Sequence, residues 1–345
     1  MSNPLVFAYG GYFSTGGAVV RDIFQEFEPR FDMPCEFRLL REKGAILDLD
    51  NAINNNMSPE IVGLAVREFL WITDQLSRNA GRFTKAGFSY NKLTNGKFKE
   101  LTRRYVNSLV DYEYPMNWHY HVFKKNYFRQ IIDKVYKKVF VKNTRTFKGN
   151  YIYPLITLNE KEFIEKIKIY FNFIFNSIRE YREIDEQSPV GIHNAVSNLN
   201  PLVIKRVKKF IPNLKVFIVD RDPRDIYLNL SKDSYSRYLP SGISGIQKVE
   251  AFIRFYKSIR IHKEEIKKLK NVYFYKFEDF ICDYDKTISR LFFDANLDPK
   301  NHVLKFRYFK PEKSKDNMHQ WKSIPKNLIP EIKLIEKDLN KYFYN

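Results

Sequence analysis

Two stretches of this chain carry residue types and spacings suited to holding anions. The first is Gly10-Gly11-Tyr12-Phe13-Ser14-Thr15-Gly16-Gly17-Ala18, which follows the compact apolar run Pro4 to Tyr9 and leads into a helical pattern over Ala18 to Phe27. A strand, a tight glycine loop and a helix make an anion cradle, because unpaired backbone N–H groups and the helix dipole converge on one spot. The loop has neither the Gly-Lys-Ser/Thr of a triphosphatase phosphate loop nor the GxGxxG dinucleotide spacing. Taken alone, it serves equally well as a turn that lets the helix pack close. The second stretch is Lys215 to Leu230, an apolar strand ending in Arg221-Asp222-Pro223-Arg224-Asp225, with Asn229 eight residues beyond Arg221. Asp222 can cap the following helix and Pro223 suits its first turn. A charged fork and a neutral amide on one face suit a phosphate monoester better than a surface Arg–Asp pair.

Other chemistry is thinner. Trp118-His119-Tyr120-His121 puts two histidines at i and i+2 with no third ligand nearby, so core packing is expected there rather than zinc. Cys35 and Cys282 are too few and too distant for a disulfide framework or zinc site, which implies a reducing compartment. The residues offer no clustered carboxylates for magnesium, and no metal is expected. The 59 Lys+Arg against 40 Asp+Glu leave +19, favouring an anionic partner. The joint richness in Lys, Asn, Ile, Phe and Tyr also fits an AT-rich genome. With no helix-turn-helix, RNA-recognition or zinc signature, nucleic acid is not expected as that partner. The basic runs Lys205-Arg206 with Lys208-Lys209, and Lys267-Lys268 with Lys270, read first as solvated helix faces and second as membrane or polyanion contacts.

The elements that must position these residues follow from the apolar pattern. At 44% hydrophobic and 16% aromatic, the chain can bury a large core, which excludes disorder. Strands are expected over Pro4 to Tyr9, Cys35 to Leu40, Val190 to Ala195, Lys215 to Asp220 and Val272 to Tyr275. Helices are expected at about 59 to 78, 128 to 140, 159 to 181, 201 to 210, from 224 onward, 247 to 269, 286 to 293, and again from 325. Alternation of strand and helix predicts an α/β fold with a central parallel sheet flanked by helices. Residues 1–345 are expected to form a single domain carrying a helical insertion, 79–158, whose 79–125 part is irregular with helical pieces and whose 143–153 part is a loop. Neither a signal peptide nor a transmembrane anchor is expected, and a cytoplasmic location follows.

The segment Lys215 to Leu230 resembles the 3'-phosphate-binding motif of sulfotransferases that use 3'-phosphoadenosine 5'-phosphosulfate (PAPS). Three more segments occur in that family's order: the N-terminal strand, loop and helix; Tyr275-Lys276-Phe277-Glu278-Asp279-Phe280; and Pro311 to Asn317, closed by Trp321-Lys322. The four span Pro4 to Lys322. The resemblance implies a sulfotransferase-like, nucleotide-kinase-like fold and transfer of a sulfuryl group from PAPS to a hydroxyl, leaving adenosine 3',5'-bisphosphate. It points to glycan-directed bacterial members, hence to a carbohydrate or glycoconjugate acceptor, such as a surface glycan made at the inner membrane face, which a basic face could touch.

Carried onto this sequence, the resemblance assigns the donor to Ser14, Thr15, Gly16, Gly17 and Ala18 at its 5' end. Arg221, Asn229 and Lys315 fall to the 3'-phosphate and Phe277 to the adenine. Two candidate bases follow. Glu36 resembles the catalytic glutamate of glycan sulfotransferases in its spacing from the loop and in preceding an alternating strand. His193 stands where small-molecule sulfotransferases carry a catalytic histidine. The plain alternatives are an ion pair of Glu36 with Arg38 or Arg41 and a packed histidine near the core; Glu36 is the preferred base. The departures are the missing loop cation and hydroxyls, with Asn229 for a serine and Phe277 for a tyrosine. They leave open a non-catalytic nucleotide- or polyanion-binding protein on the same scaffold.

Overall fold

The computed structural model describes residues 3–55, 58–79, 89–116, 126–140, 151–197, 199–232, 242 and 244–343. Its strands are β1 Val6–Gly11, β2 Asp32–Glu36, β3 Tyr112–Met116, β4 Tyr151–Leu155, β5 Val190–His193, β6 Leu214–Asp220 and β7 Val272–Lys276. Five of them form a parallel sheet in the order β2-β5-β1-β6-β7, with helices between successive strands in the chain, so the fold is α/β. β1 runs in register with β5 from Val6 opposite Val190, and with β6 from Val6 opposite Leu214. Both central strands read as continuous apolar runs because both faces of a parallel sheet are covered. An aromatic cluster fills one side. The ring of Phe7 lies 5.5 Å from Phe24, 5.8 Å from Phe31 and 5.6 Å from Phe217.

The chain divides into two compact units. The first comprises Met1–Leu40, Leu93–Asn95 and Phe171–Asn345; the second comprises Arg41–Lys92 and Gly96–Tyr170. The first contains the whole parallel sheet. The expected insertion, 79–158, falls almost entirely within the second. Helices Ile46–Asn54, Pro59–Ser77 and Phe98–Leu109 make up much of that unit, with β3 and β4 paired antiparallel. Tyr105 stacks on Tyr170 at 4.5 Å, and the Thr102 hydroxyl meets the Tyr170 hydroxyl at 2.7 Å.

Four local expectations need correction. The strand expected over Cys35 to Leu40 lies earlier, at Asp32–Glu36, because Asp32 pairs with Gly191 and Glu36 with His193, with an irregularity between them. Phe37, Leu39 and Leu40 are buried without being strand, so Glu36 ends a strand rather than preceding an alternating one. The helix expected over 247 to 269 is two helices, Gly245–Ser258 and Lys263–Lys267, broken where the buried Arg260 turns to pair with Asp220 at 2.6 Å. The loop expected over 143 to 153 contains, at its end, the start of β4. β4 pairs with β3 inside the stretch read as irregular, two five-residue segments, Tyr112-Glu-Tyr-Pro-Met and Tyr151-Ile-Tyr-Pro-Leu, that share a Tyr-x-Tyr-Pro pattern. Proline suits such a pair because a two-stranded ribbon has an outward N–H side on each strand.

Candidate functional site

In a parallel sheet every strand delivers its carboxyl end to the same edge. Here that edge collects Gly10-Gly11 from β1, Glu36 from β2, His193 from β5, Asp220 from β6 and Lys276 from β7. All of these belong to the first unit.

The glycine loop closes tightly on the sheet. Thr15 is buried and its hydroxyl donates to the Val219 carbonyl of β6 at 2.7 Å, while its N–H donates to the Tyr12 carbonyl at 3.2 Å. The Thr15 side chain therefore fixes the loop, whereas Ser14 is exposed. Gly16 has φ +79, and a Cβ there would lie 2.4 Å from the Phe277 ring; one on Gly17 would lie 2.5 Å from the Gly10 carbonyl carbon. Helix Ala18–Phe24 starts directly afterwards, and the first N–H groups of a helix have no partner within it.

Arg221, buried, leaves the end of β6 beside this loop. Its guanidinium carbon lies 5.0 Å from the centre of the Phe277 ring, so one phenyl ring touches both Gly16 and Arg221. With its amide oxygen toward the guanidinium, Asn229 accepts from both terminal nitrogens of Arg221, at 2.5 and 3.1 Å. One of these nitrogens also donates to the Asn317 carbonyl, while the Nε is buried with no partner among the described residues. The chain thus brings Arg221, Asn229, Phe277 and the Ser14–Ala18 loop together. Lys315 stands apart: it is exposed and its ammonium pairs with Glu312 at 2.7 Å, and the C-terminal segment reaches Arg221 through the main chain of Asn317.

The rest of the arginine motif works on its own chain. Asp222 accepts from the Arg224 N–H at 2.9 Å, capping helix Pro223–Lys232, and holds the Arg224 guanidinium at 2.7 Å. Arg224 stacks on Trp321 at 3.6 Å and on Phe343 at 4.1 Å. Asp225 accepts from the His319 and Gln320 N–H groups, each at 2.8 Å. Arg224 and Asp225 thereby bind residues 319–343 to that helix. Asp220 is held by Arg260 at 2.6 Å and Lys263 at 2.7 Å. Burial pushes its carboxyl up, but these two cations outweigh that and leave it lowered to about 2. Arg260 lies over the Tyr12 ring at 4.6 Å, so this paired cation adjoins the glycine loop.

At the other end of the sheet, Glu36 and His193 face each other in register on β2 and β5. Glu36 accepts from Arg38 at 2.7 Å, the ion pair anticipated from sequence, and from the Asn194 amide at 2.9 Å. His193 stacks on Tyr9 of β1 at 5.7 Å. The two candidate bases thus stand side by side.

Sequence reasoning missed three residues here. Asn194, at φ +51, links Glu36 to β1: its oxygen is 2.8 Å from where a Gly10 Cβ would sit. An Asn directly after a strand-ending His is the one local hint, since Asn tolerates the left-handed region. The Asn317 carbonyl carries no sequence signal. Glu278 stood in a quoted motif but had no role; it accepts from the Asp222 N–H at 2.9 Å, its other oxygen is buried without a partner among the described residues, and burial pushes its carboxyl up to about 7.

The Trp118 to His121 cluster lies outside the described residues. Of the basic runs, Lys267 pairs with Glu264 at 2.7 Å and Lys208 donates to the Lys270 carbonyl. Among the described residues no group of three or more His, Cys, Asp or Glu is placed to hold a metal, and no helix is long and apolar enough to cross a membrane.

No family model matches the chain, and neither does any curated protein. Among solved structures it is similar to the sulfotransferase STF9 from Mycobacterium avium, at 10% identity and TM-score 0.35, over 99% of this chain and 76% of that one. It is also similar to the sulfotransferase STF1 from Mycobacterium tuberculosis H37Rv, at 10% identity and TM-score 0.34, over 93% and 77%.

Proposed function

We propose that this chain transfers a sulfuryl group from PAPS to a hydroxyl of a carbohydrate or glycoconjugate. One observation carries the reading: the Ser14–Ala18 loop and Arg221 lie at one sheet edge on neighbouring strands, and Phe277 touches both. A nucleotide bearing phosphates at two ends needs two anion sites joined by an apolar surface. The buried Nε of Arg221, without a partner among the described residues, fits such an anion.

When bound, the donor supplies a sulfuryl group already activated on a phosphate leaving group. The backbone N–H groups of the Ser14–Ala18 loop other than that of Thr15 would hold its 5' end. Arg221, with Asn229 and with Lys315 turned from Glu312, would hold the 3'-phosphate, and the Phe277 ring would pack on adenine. The loop has no cation of its own. The Arg260 guanidinium lies over the loop's Tyr12 ring and is a cation beside it. Glu36 takes the acceptor's proton, its carboxylate aimed by the hydrogen bonds from Asn194 and Arg38, with His193 as the rival base. Cys35 and Cys282 are not joined in a disulfide, which suits the cytoplasm.

Calorimetry with adenosine 3',5'-bisphosphate tests the donor site. Micromolar binding is expected, weakened about 100-fold in Arg221→Ala, the loss of a charge-assisted contact. No binding by the wild-type protein would remove the donor reading. The second reading, a non-catalytic binder, is favoured by the Asn317 carbonyl and Asn229 already engaging Arg221, and by the cation-free loop. Labelled PAPS decides: binding without any transfer across a panel of glycans assigns the protein to that class.

A further inference from the structure

We infer that helix Tyr127–Phe140 of the second unit is a docking face for an anionic lipid surface. The helix is built to stand in place. Asn126 accepts the Arg129 N–H on its side chain at 2.9 Å and the Gln130 N–H on its carbonyl at 3.1 Å, capping the first turn. Its apolar residues recur at 128, 131, 132, 135, 136 and 139, which at 3.6 residues per turn fall on one side of the helix.

What sets the helix apart is where that side ends up. Helix Phe98–Leu109 of the same unit is also amphipathic and buries Phe98, Leu101, Tyr105 and Leu109. In Tyr127–Phe140 the apolar side chains that the structure describes face outward: Tyr127 is 79% exposed, Phe128 71%, Val135 55% and Ile132 51%. One exposed apolar residue needs no explanation, whereas a contiguous helical stripe of them does.

Charge selects the occupant. The helix carries Arg129, Lys134, Lys137 and Lys138 against Asp133 alone, five positions that at 3.6 residues per turn fall opposite the stripe or at its borders. Within the flanking sequence come Lys124, Lys125, Lys142, Arg145 and Lys148, with no acidic residue between 124 and 148 besides Asp133. A second copy of the chain would oppose this cationic segment to itself. A helix with an apolar stripe and basic borders lies instead in the plane of an anionic bilayer surface, the stripe among the acyl chains and the cations at the headgroups. The aromatic rings of Tyr127 and Phe128 at one end of the stripe suit that interface.

The test is co-sedimentation of the full chain with vesicles of phosphatidylcholine alone and of phosphatidylcholine mixed with phosphatidylglycerol. Binding is expected to the mixed vesicles only, weakening as salt is raised. The double variant Ile132→Glu/Val135→Glu and the double variant Lys134→Glu/Lys137→Glu should each weaken it by at least about tenfold. Because these positions are at the surface or lie on the polar side, thermal melts should match the wild type. Phe128→Trp supplies a second readout: its added emission should shift to the blue on mixed vesicles and not on neutral ones. Failure to bind mixed vesicles, equal binding to neutral ones, or binding unchanged by both double variants would overturn the inference. So would a wild-type dimer that Ile132→Glu/Val135→Glu converts to a monomer, which would assign the stripe to a second copy.

Discussion

The two ends of the sheet edge hold their charges in opposite ways. On the β6 and β7 side, Asp220, Arg221, Asp222, Arg224, Asp225 and Glu278 are all buried. Nearly every polar atom there is satisfied by the protein's own chain, the exceptions among the described residues being Arg221 Nε and one oxygen of Glu278. On the β2 and β5 side, the side chains of Glu36 and Arg38 keep about a third of their surface open, at 30% and 35%. A buried, paired charge is costly to disturb and therefore positions what it meets. A half-open carboxylate can exchange a proton with a substrate. Under the proposed function the contrast divides labour: the buried end, which holds the C-terminal segment, would anchor an anion, and the open end would do the proton transfer.

The largest effect that could break this comparison concerns the open end. Glu36→Gln should lower sulfuryl transfer by about 10²- to 10⁴-fold, the usual contribution of a general base, while affinity for adenosine 3',5'-bisphosphate stays at the wild-type value. His193→Ala should cost only a few-fold by the same measure. The reverse ranking in a labelled-donor assay would move the base one strand over, and a loss of nucleotide affinity in Glu36→Gln would dissolve the division itself.

At the buried end, the informative variable is pH. Burial raises the Glu278 carboxyl from 4.5 to about 7, so the folded chain keeps this proton where the unfolded chain has lost it. The stability this gives is fully present below about pH 4.5 and is lost as pH rises through about 7, where the buried group must ionise; above that it changes no further. Relative to Glu278→Gln, the wild type should therefore lose on the order of 3 kcal/mol across that window in denaturant titrations. Parallel pH curves for the two proteins would mean that this carboxyl is solvated like an open-end residue.

How much of this was legible in the sequence follows the reach of each interaction. The strongest strand, expected over Lys215 to Asp220, is Leu214–Asp220, because a doubly covered strand announces itself as an apolar run. The glycine loop and the Arg221 motif were legible because each is a local pattern whose neighbours in sequence are its neighbours in space. Glu36 was picked out, but its strand was misphased, because the phase comes from pairing with His193, a residue far away along the chain. In the arginine motif, Arg221 and Asn229 were read as ligand contacts and Asp222 as a helix cap, with no role given to Arg224 or Asp225. Arg224 and Asp225 turned out to bind residues 319–343, a duty that only the arrival of Trp321, Phe343 and the His319 and Gln320 N–H groups reveals. The β3–β4 ribbon went unread for a related reason: each Tyr-x-Tyr-Pro segment alone is too short and too proline-broken to read as a strand, and only their pairing makes them one.

The smallest effect expected is also the one that probes how the open end is aimed. Asn194 sits between the two candidate bases and β1, donating to Glu36 at 2.9 Å while its own N–H donates to the Tyr9 carbonyl at 2.9 Å. Asn194→Ala removes the side-chain bond and leaves the main-chain one, so Glu36 keeps its place on the sheet but loses one of the donors that orient it. A single such bond contributes on the order of 1 kcal/mol, which corresponds to a fall of about fivefold in turnover. Nucleotide affinity, which the proposed function assigns to Arg221 and the glycine loop, should not move. Asn194→Asp replaces the donor with an acceptor facing a carboxylate and should do more harm than Ala despite its closer shape. If Ala and Asp were equally mild, the Asn194 amide would have no part in holding the base, and Glu36 would be oriented by Arg38 and its other contacts.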